Sequence, residues 1–143
     1  MKGKEKNRLF AGLSVLGLVF LLDWVSKRIV VGNNLSYVIN SGGAFSIFSG
    51  SSWFNFLVWI VFAGLVISFL MGGMSRVEKL VWWGLWLVIG GSLGNIADRV
   101  VYGGVVDFLS FGFLPVFNLA DVAIVVGMLL IVLGPLVFPR KVS

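Results

Sequence analysis

The sequence predicts an all-α membrane protein: four transmembrane helices, both termini cytoplasmic, with a small extracytoplasmic β element. Three observations predict it. Hydrophobic residues fill 59% of the 143 positions and charged ones 12%, where a soluble domain has roughly 45–50% and about 25%. The apolar residues gather into four stretches, each near the ~20 residues that cross a bilayer core. Apart from Lys27, Arg28 and Arg99, the basic residues sit at the two ends and in one connection. Mean hydropathy is +1.05, which excludes disorder as well as an ordinary soluble domain.

The chain reads as a single integral-membrane domain, 1–143, with spans at about 9–31, 53–71, 80–97 and 119–138. The purely apolar part of the first, Leu9–Leu22, is short and follows Lys2, Lys4, Lys6 and Arg8. That is also the plan of a secretory signal peptide. No A-x-A site follows, and three further spans do, so the stretch is read as a span. Trp53, Trp82, Trp83 and Trp86 lie near span ends and read as interface anchors.

Orientation follows from charge. Lys2, Lys4, Lys6 and Arg8 precede span one, Arg76 and Lys79 separate spans two and three, and Arg140 and Lys141 follow span four. The stretches Gly32–Ser52 and Val100–Asn118 hold no Lys or Arg. The positive-inside rule therefore puts both termini in the cytoplasm. The net charge of +5 is topological, and no nucleic-acid partner is expected. Asp23, Asp98, Asp107 and Asp121 all fall on the opposite, outer side. Ionisable groups among apolar helix ends are costly and mark functional sites.

The chain has no Cys and no His. Thiol nucleophiles and thiolate metal sites are excluded, and the usual general base is missing. Five short patterns remain. Asp23 and Lys27 are four apart, on one helix face with the acid first; taken alone they read first as a structural ion pair, with Lys27 snorkelling outward. Asn40-Ser-Gly-Gly-Ala-Phe45 lies between the β-prone stretches Tyr37–Ile39 and Phe45–Phe48, as a hairpin or plain turn would. Gly90 and Gly94 allow close helix approach, and Asn95, Asp98 and Arg99 project from one face of the same helix. Asp107 is a lone acid in an apolar run. Asn118 and Asp121 have the spacing of a helix cap and its N3 acid.

Two aspartates sharing a site can activate water, one as base and the other as acid, because two like charges a few ångströms apart do not both ionise. The sequence alone does not say which two meet.

In order, these motifs resemble lipoprotein signal peptidase (signal peptidase II). Its pattern is D-x-x-[ST]-K, N-x-G-A-A-F, G-N-x-x-D-R, V-V-D-F and F-N-x-A-D. Here it reads Asp23…Ser26-Lys27, Asn40-Ser-Gly42-Gly43-Ala44-Phe45, Gly94-Asn95-Ile-Ala-Asp98-Arg99, Val105-Val106-Asp107-Phe108 and Phe117-Asn118-Leu-Ala120-Asp121. The resemblance implies an aspartic endopeptidase that cuts diacylglyceryl-modified bacterial prolipoproteins just before the lipidated cysteine. It acts in the cytoplasmic (inner) membrane, with its site on the extracytoplasmic side. The catalytic pair carries over to Asp107 and Asp121. Asn95, Asp98, Arg99 and Asn118 would support the pair; Asp23, Lys27, Asn40 and Gly42 would be outer-face supports or substrate contacts. No metal or organic cofactor is implied. The expected partners are the prolipoprotein and membrane lipid, with globomycin as inhibitor, and the enzyme is read as a monomer. Gly43 departs from the family's first alanine. The stretches between Lys27 and Asn40 and between Asp107 and Asn118 are shorter than the family's usual ones.

Two other readings compete. A serine–lysine peptidase would use Ser26 or Ser46 with Lys27, but Ser26 and Lys27 are adjacent and diverge by roughly 100° on a helix. A small proton-coupled transporter or assembly factor would use the aspartates as a relay. A relay spreads polar groups through the membrane's depth, whereas the inner halves of these spans are nearly bare of them.

Overall fold

The structure is a computed structural model that describes residues 3–42 and 79–137. Three helices and two short strands lie there: α1 (Gly3–Gly32), β1 (Val38–Asn40), α2 (Lys79–Tyr102), β2 (Val105–Asp107) and α3 (Leu119–Val137). Three of the expected spans thus fall on helices. The second expected span, the Phe45–Phe48 stretch and the basic residues Arg76, Arg140 and Lys141 lie outside the described residues.

By length and composition α1 and α2 are apolar enough to cross a membrane; α3 is apolar over the shorter stretch Leu119–Gly134. At 30 residues α1 is about 45 Å long, more than the hydrocarbon core of about 30 Å. It ends in a Schellman motif: Asn34 takes a left-handed φ of 51°, with Asn34 N–H on Val31 C=O and Leu35 N–H on Val30 C=O. Helix α2 is the centre of the described bundle and packs on both α1 and α3. It approaches both so closely because its contact faces carry glycine. A Cβ on Gly91 would lie 2.5 Å from the Ala120 carbonyl oxygen of α3, and one on Gly94 2.5 Å from an Asp23 carboxylate oxygen of α1.

Two tryptophans differ from expectation. Trp82 and Trp86 are buried, packed edge to face at 5.5 Å and 73°, with Trp86 against Gly12 of α1. They form the core of the half of the bundle away from the strands. They are not interface anchors, because the missing side chain of Gly12 gives the Trp86 indole an inward seat. The Arg8 guanidinium lies 4.7 Å from the Trp82 ring centre.

The second arm of the expected hairpin, Phe45–Phe48, lies outside the described residues, and within them β1 has a partner that the sequence did not announce. β1 pairs antiparallel with β2, in the register Val38↔Asp107, Ile39↔Val106 and Asn40↔Val105. α2 is stopped by Gly103 at φ 73°, whose N–H bonds the Arg99 carbonyl. The chain turns back at once and lays Val105–Asp107 beside β1. After β2, Leu109 and Phe117 form a further bridge that delivers the chain to α3.

Candidate active site

The ends of α1, α2 and α3 and the two strands meet at one end of the bundle. Every site residue expected from the sequence is there. Asp23, Lys27, Asn40, Asn95, Asp98, Asp107 and Asn118 are all buried polar residues.

The foundation is ionic. Lys27 Nζ lies 2.7 Å from Asp23 Oδ2 and 2.7 Å from Asp98 Oδ2. The ammonium does not snorkel: Lys27 is 2% exposed. Burying such a group is tolerable only with its charge matched and its donors used. Each carboxylate also ties down backbone. Asp23 Oδ1 accepts from Ala120 N–H at 2.9 Å, which is one of the orphan donors that any helix N-terminus leaves. Asp98 Oδ2 accepts from Val106 N–H at 3.0 Å and so hangs β2 from α2.

The next layer is three amides. Asn118 is the N-cap of α3. Its Oδ1 accepts from Asp121 N–H at 2.9 Å, and the Asp121 carboxylate accepts from Asn118 N–H at 3.3 Å. This reciprocal cap holds Asp121 turned back toward the strands. The Nδ2 of Asn118 donates to Asp107 Oδ1 at 2.6 Å and to Asn95 Oδ1 at 3.1 Å. Lys27 Nζ also donates to Asn95 Oδ1, at 3.2 Å, so Asn95 Nδ2 points away and donates to Asp121 Oδ1 at 2.8 Å. Asn40 Oδ1 accepts from Gly42 N–H at 3.0 Å, and its Nδ2 donates to Asp107 Oδ2 at 3.0 Å.

Each amide oxygen is thus held by a group that can only donate, a backbone N–H or the Lys27 ammonium. No amide can reverse without losing that bond. All three therefore aim N–H at the carboxylates of Asp107 and Asp121. Arg99 closes the rim: Nη1 donates to Asn95 C=O at 3.1 Å and Nη2 to Gly42 C=O at 2.9 Å, joining α2 to the turn after β1.

Burial pushes the Asp107 carboxyl up to about 6. The hydrogen bond from Asn40 opposes that rise, the neighbouring Asp121 charge adds to it, and Asn118 and Lys27 hold it down. Two carboxylates close enough to feel each other, in a polar setting that supplies only donors, can hold one proton between them and orient a water. The serine–lysine alternative finds no geometry in the described residues. Ser26 Oγ donates to Asp23 C=O at 2.8 Å, and the Lys27 ammonium is taken up by two carboxylates. Ser46 lies outside the described residues.

Sequence reasoning missed two participants. The backbone N–H groups of Val106 and Ala120 are what Asp98 and Asp23 hold. Ala120 had a signal, since it is the second residue of a capped helix, where an N–H needs an outside acceptor.

The chain was compared with known proteins. The family model Peptidase_A8, signal peptidase (SPase) II, matches residues 15–137. A lipoprotein signal peptidase of Syntrophomonas wolfei is 40% identical over 131 residues, covering 81% of this chain and 86% of that protein. One from Microcystis aeruginosa is 36% identical over 156 residues, covering 96% of each; that stretch exceeds the 143 residues of this chain, so the relative carries residues that this one lacks. A solved structure described as a bacterial membrane enzyme, by the in meso method at 2.3 Å resolution, superposes with a TM-score of 0.78 at 25% identity, over 93% of this chain and 94% of that one. A second, at 1.9 Å, gives 0.72 at 26% identity over 92% and 94%. Matched over most of its length by the family model and by relatives of this similarity, the chain belongs to the signal peptidase II family.

Proposed function

We propose that this protein is the aspartic endopeptidase that removes signal peptides from diacylglyceryl-modified prolipoproteins in the bacterial inner membrane, with Asp107 and Asp121 as its catalytic pair. One observation carries the assignment of the pair. Three amides of fixed polarity, Asn40, Asn95 and Asn118, aim their N–H groups at these two carboxylates. Such a lattice positions acceptors for chemistry and leaves their outward faces to a water and a substrate carbonyl.

In this reading the pair carries one proton. The charged carboxylate takes a proton from water as the oxygen attacks the scissile carbonyl. The protonated one gives its proton to the carbonyl oxygen, and then proton return to the amide nitrogen expels the leaving peptide. The chemistry needs no covalent intermediate. Lys27, Asp23 and Asp98 are positioning residues, as their burial and mutual contacts favour. Asn40, which donates to Asp107, and Gly42, which Asn40 and Arg99 hold, would border the substrate beside the pair.

The chain is a single domain of four spans with both termini in the cytoplasm, as its basic residues favour. The site is then on the extracytoplasmic side, where the diacylglyceryl cysteine would lie beside it, with its acyl chains among lipid. The protein acts as a monomer. Incubating it with a diacylated prolipoprotein tests the proposal. Cleavage should be lost in Asp107→Asn and in Asp121→Asn, kept in Ser26→Ala, and blocked by globomycin. Undiminished cleavage by Asp107→Asn would remove it from the pair.

A further inference from the structure

Between the two aspartates runs a hairpin that is apolar all the way round its tip. From Phe108 to Ala120 there is no charged residue. The bridge of Leu109 with Phe117 closes it, and the Phe111 and Phe117 rings stack at 5.7 Å and 26°. At its tip Phe113 N–H bonds Phe111 C=O at 2.9 Å across Gly112, which has φ 77°. This is a γ-turn with positive φ, a conformation that suits glycine. The turn throws the tip outward. Phe113 is 86% exposed, Phe111 62% and Leu114 43%.

A polar-lined loop would serve a site facing open water. Here the protein buries none of these side chains fully, and the chain runs from them straight into α3, whose Val122, Val125, Val126 and Leu129 are exposed as well. The hairpin tip therefore continues an apolar surface that an integral membrane protein turns to lipid. From this we infer that the Phe111–Leu114 tip seats in the lipid leaflet surrounding the site end of the bundle, and that this seat sets the depth of the aspartate pair. The feet of the hairpin make the link. Asp107 stands two residues before Leu109, and Asn118, which caps α3 and bonds Asp107, directly follows Phe117. A scissile bond next to a lipid-anchored residue lies at a fixed depth, so the depth of the pair selects what is cut. This last step rests on the peptidase reading; the seat itself does not.

The absence of cysteine from the chain makes the test direct. Phe113→Cys, carrying a nitroxide and reconstituted in phosphatidylethanolamine–phosphatidylglycerol vesicles, should collide with oxygen more than with a neutral nickel chelate. Its depth should fall within about 5–10 Å of the headgroup boundary. Nickel collisions in excess would show a tip in water and overturn the inference. Spin–spin broadening that persists on dilution with lipid would show a second copy as the occupant and overturn it too. In the same vesicles, Phe111→Ser with Phe113→Ser should raise KM for a diacylated prolipoprotein about tenfold while kcat stays within about twofold. A fall in kcat at unchanged KM would overturn the depth-setting role. The label reads no activity, so failure of the peptidase assignment would leave its result standing.

Discussion

Asn118 gives Asp107 a 2.6 Å hydrogen bond through Nδ2 and cannot offer its oxygen instead, because Asp121 N–H holds Oδ1 at 2.9 Å. One side chain therefore starts a helix and sets the donor pattern of the aspartate pair. The two duties can be separated. Serine caps a helix about as well as asparagine but has no amide to reach Asp107. Asn118→Ser should keep the cap, lose about 1–3 kcal/mol of stability in detergent with the two buried amide hydrogen bonds, and lower the rate of prolipoprotein cleavage about a hundredfold. Equal cleavage by Asn118→Ser and the unmodified protein would mean that the amide is there for the cap alone.

The pH dependence follows from Asp107, which burial pushes up to about 6. On the proposed mechanism the pair works with one proton. As pH rises through about 6 that proton leaves, so kcat/KM should fall about tenfold per unit beyond it. Bound substrate excludes more water, which raises the value further, so the fall in kcat should come at higher pH than the fall in kcat/KM. A pH series with purified enzyme checks both limbs.

The same shift has a consequence for stability. The folded-state value lies above the ordinary 3.8, so ionisation favours the unfolded chain. The effect is absent below about pH 3.8, grows as pH rises toward 6, and is full above that, at about 3 kcal/mol. Asp107→Asn loses this dependence, whatever constant change it makes to the hydrogen bonds. Melting temperature measured from pH 4 to pH 7.5 should therefore fall less for Asp107→Asn than for the unmodified protein.

Lys27 is the counter-ion of two buried carboxylates. Lys27→Met should destabilise the protein by about 3–5 kcal/mol. Adding Asp98→Asn should recover much of that loss, since an amide at 98 can still accept from Val106 N–H and no longer repels Asp23. Cleavage should stay low in the double variant, because the Asn118 amide alone then holds the Asn95 oxygen away from Asp121. Thermal unfolding and cleavage, measured side by side, distinguish repair of the fold from repair of the site.

Gly94 faces the Asp23 carboxylate with no room for a methyl group. In Gly94→Ala the carboxylate must move, and with it the Lys27 contact or the Ala120 N–H contact. A loss of about 1–3 kcal/mol is expected, with cleavage reduced. Gly17→Ala, where a Cβ meets nothing, is the control: cleavage should be unchanged and stability no lower, rising by up to about 1 kcal/mol.

The sequence disclosed the helices α1, α2 and α3 because apolar length is a property of the chain alone. It also disclosed which polar residues the structure brings together, since acids and amides stand out in apolar runs. Asn118 with Asp121 could be read as a cap, and the cap is present. The pairing of Val38–Asn40 with Val105–Asp107 was not legible. Three-residue strands have too little periodicity, and their partner is decided by where α2 ends. The depth of Lys27 was hidden for a similar reason. A lysine four residues after an aspartate looks like a snorkelling pair until Asp98, on another helix, supplies the second charge. Trp82 and Trp86 misled because position along a span does not tell which way a side chain faces.

The three-residue ladder between β1 and β2 constrains how this gene can change in length. Side chains alternate along a strand, so adding or deleting one codon between Gly104 and Asp107 would turn the carboxylate to the opposite face and silence the enzyme with its composition nearly intact. Codons gained or lost around Ser110–Leu114, beyond the Leu109–Phe117 bridge, leave that alternation untouched. Indels a few positions apart should therefore divide sharply into null and active alleles, with the boundary at Leu109.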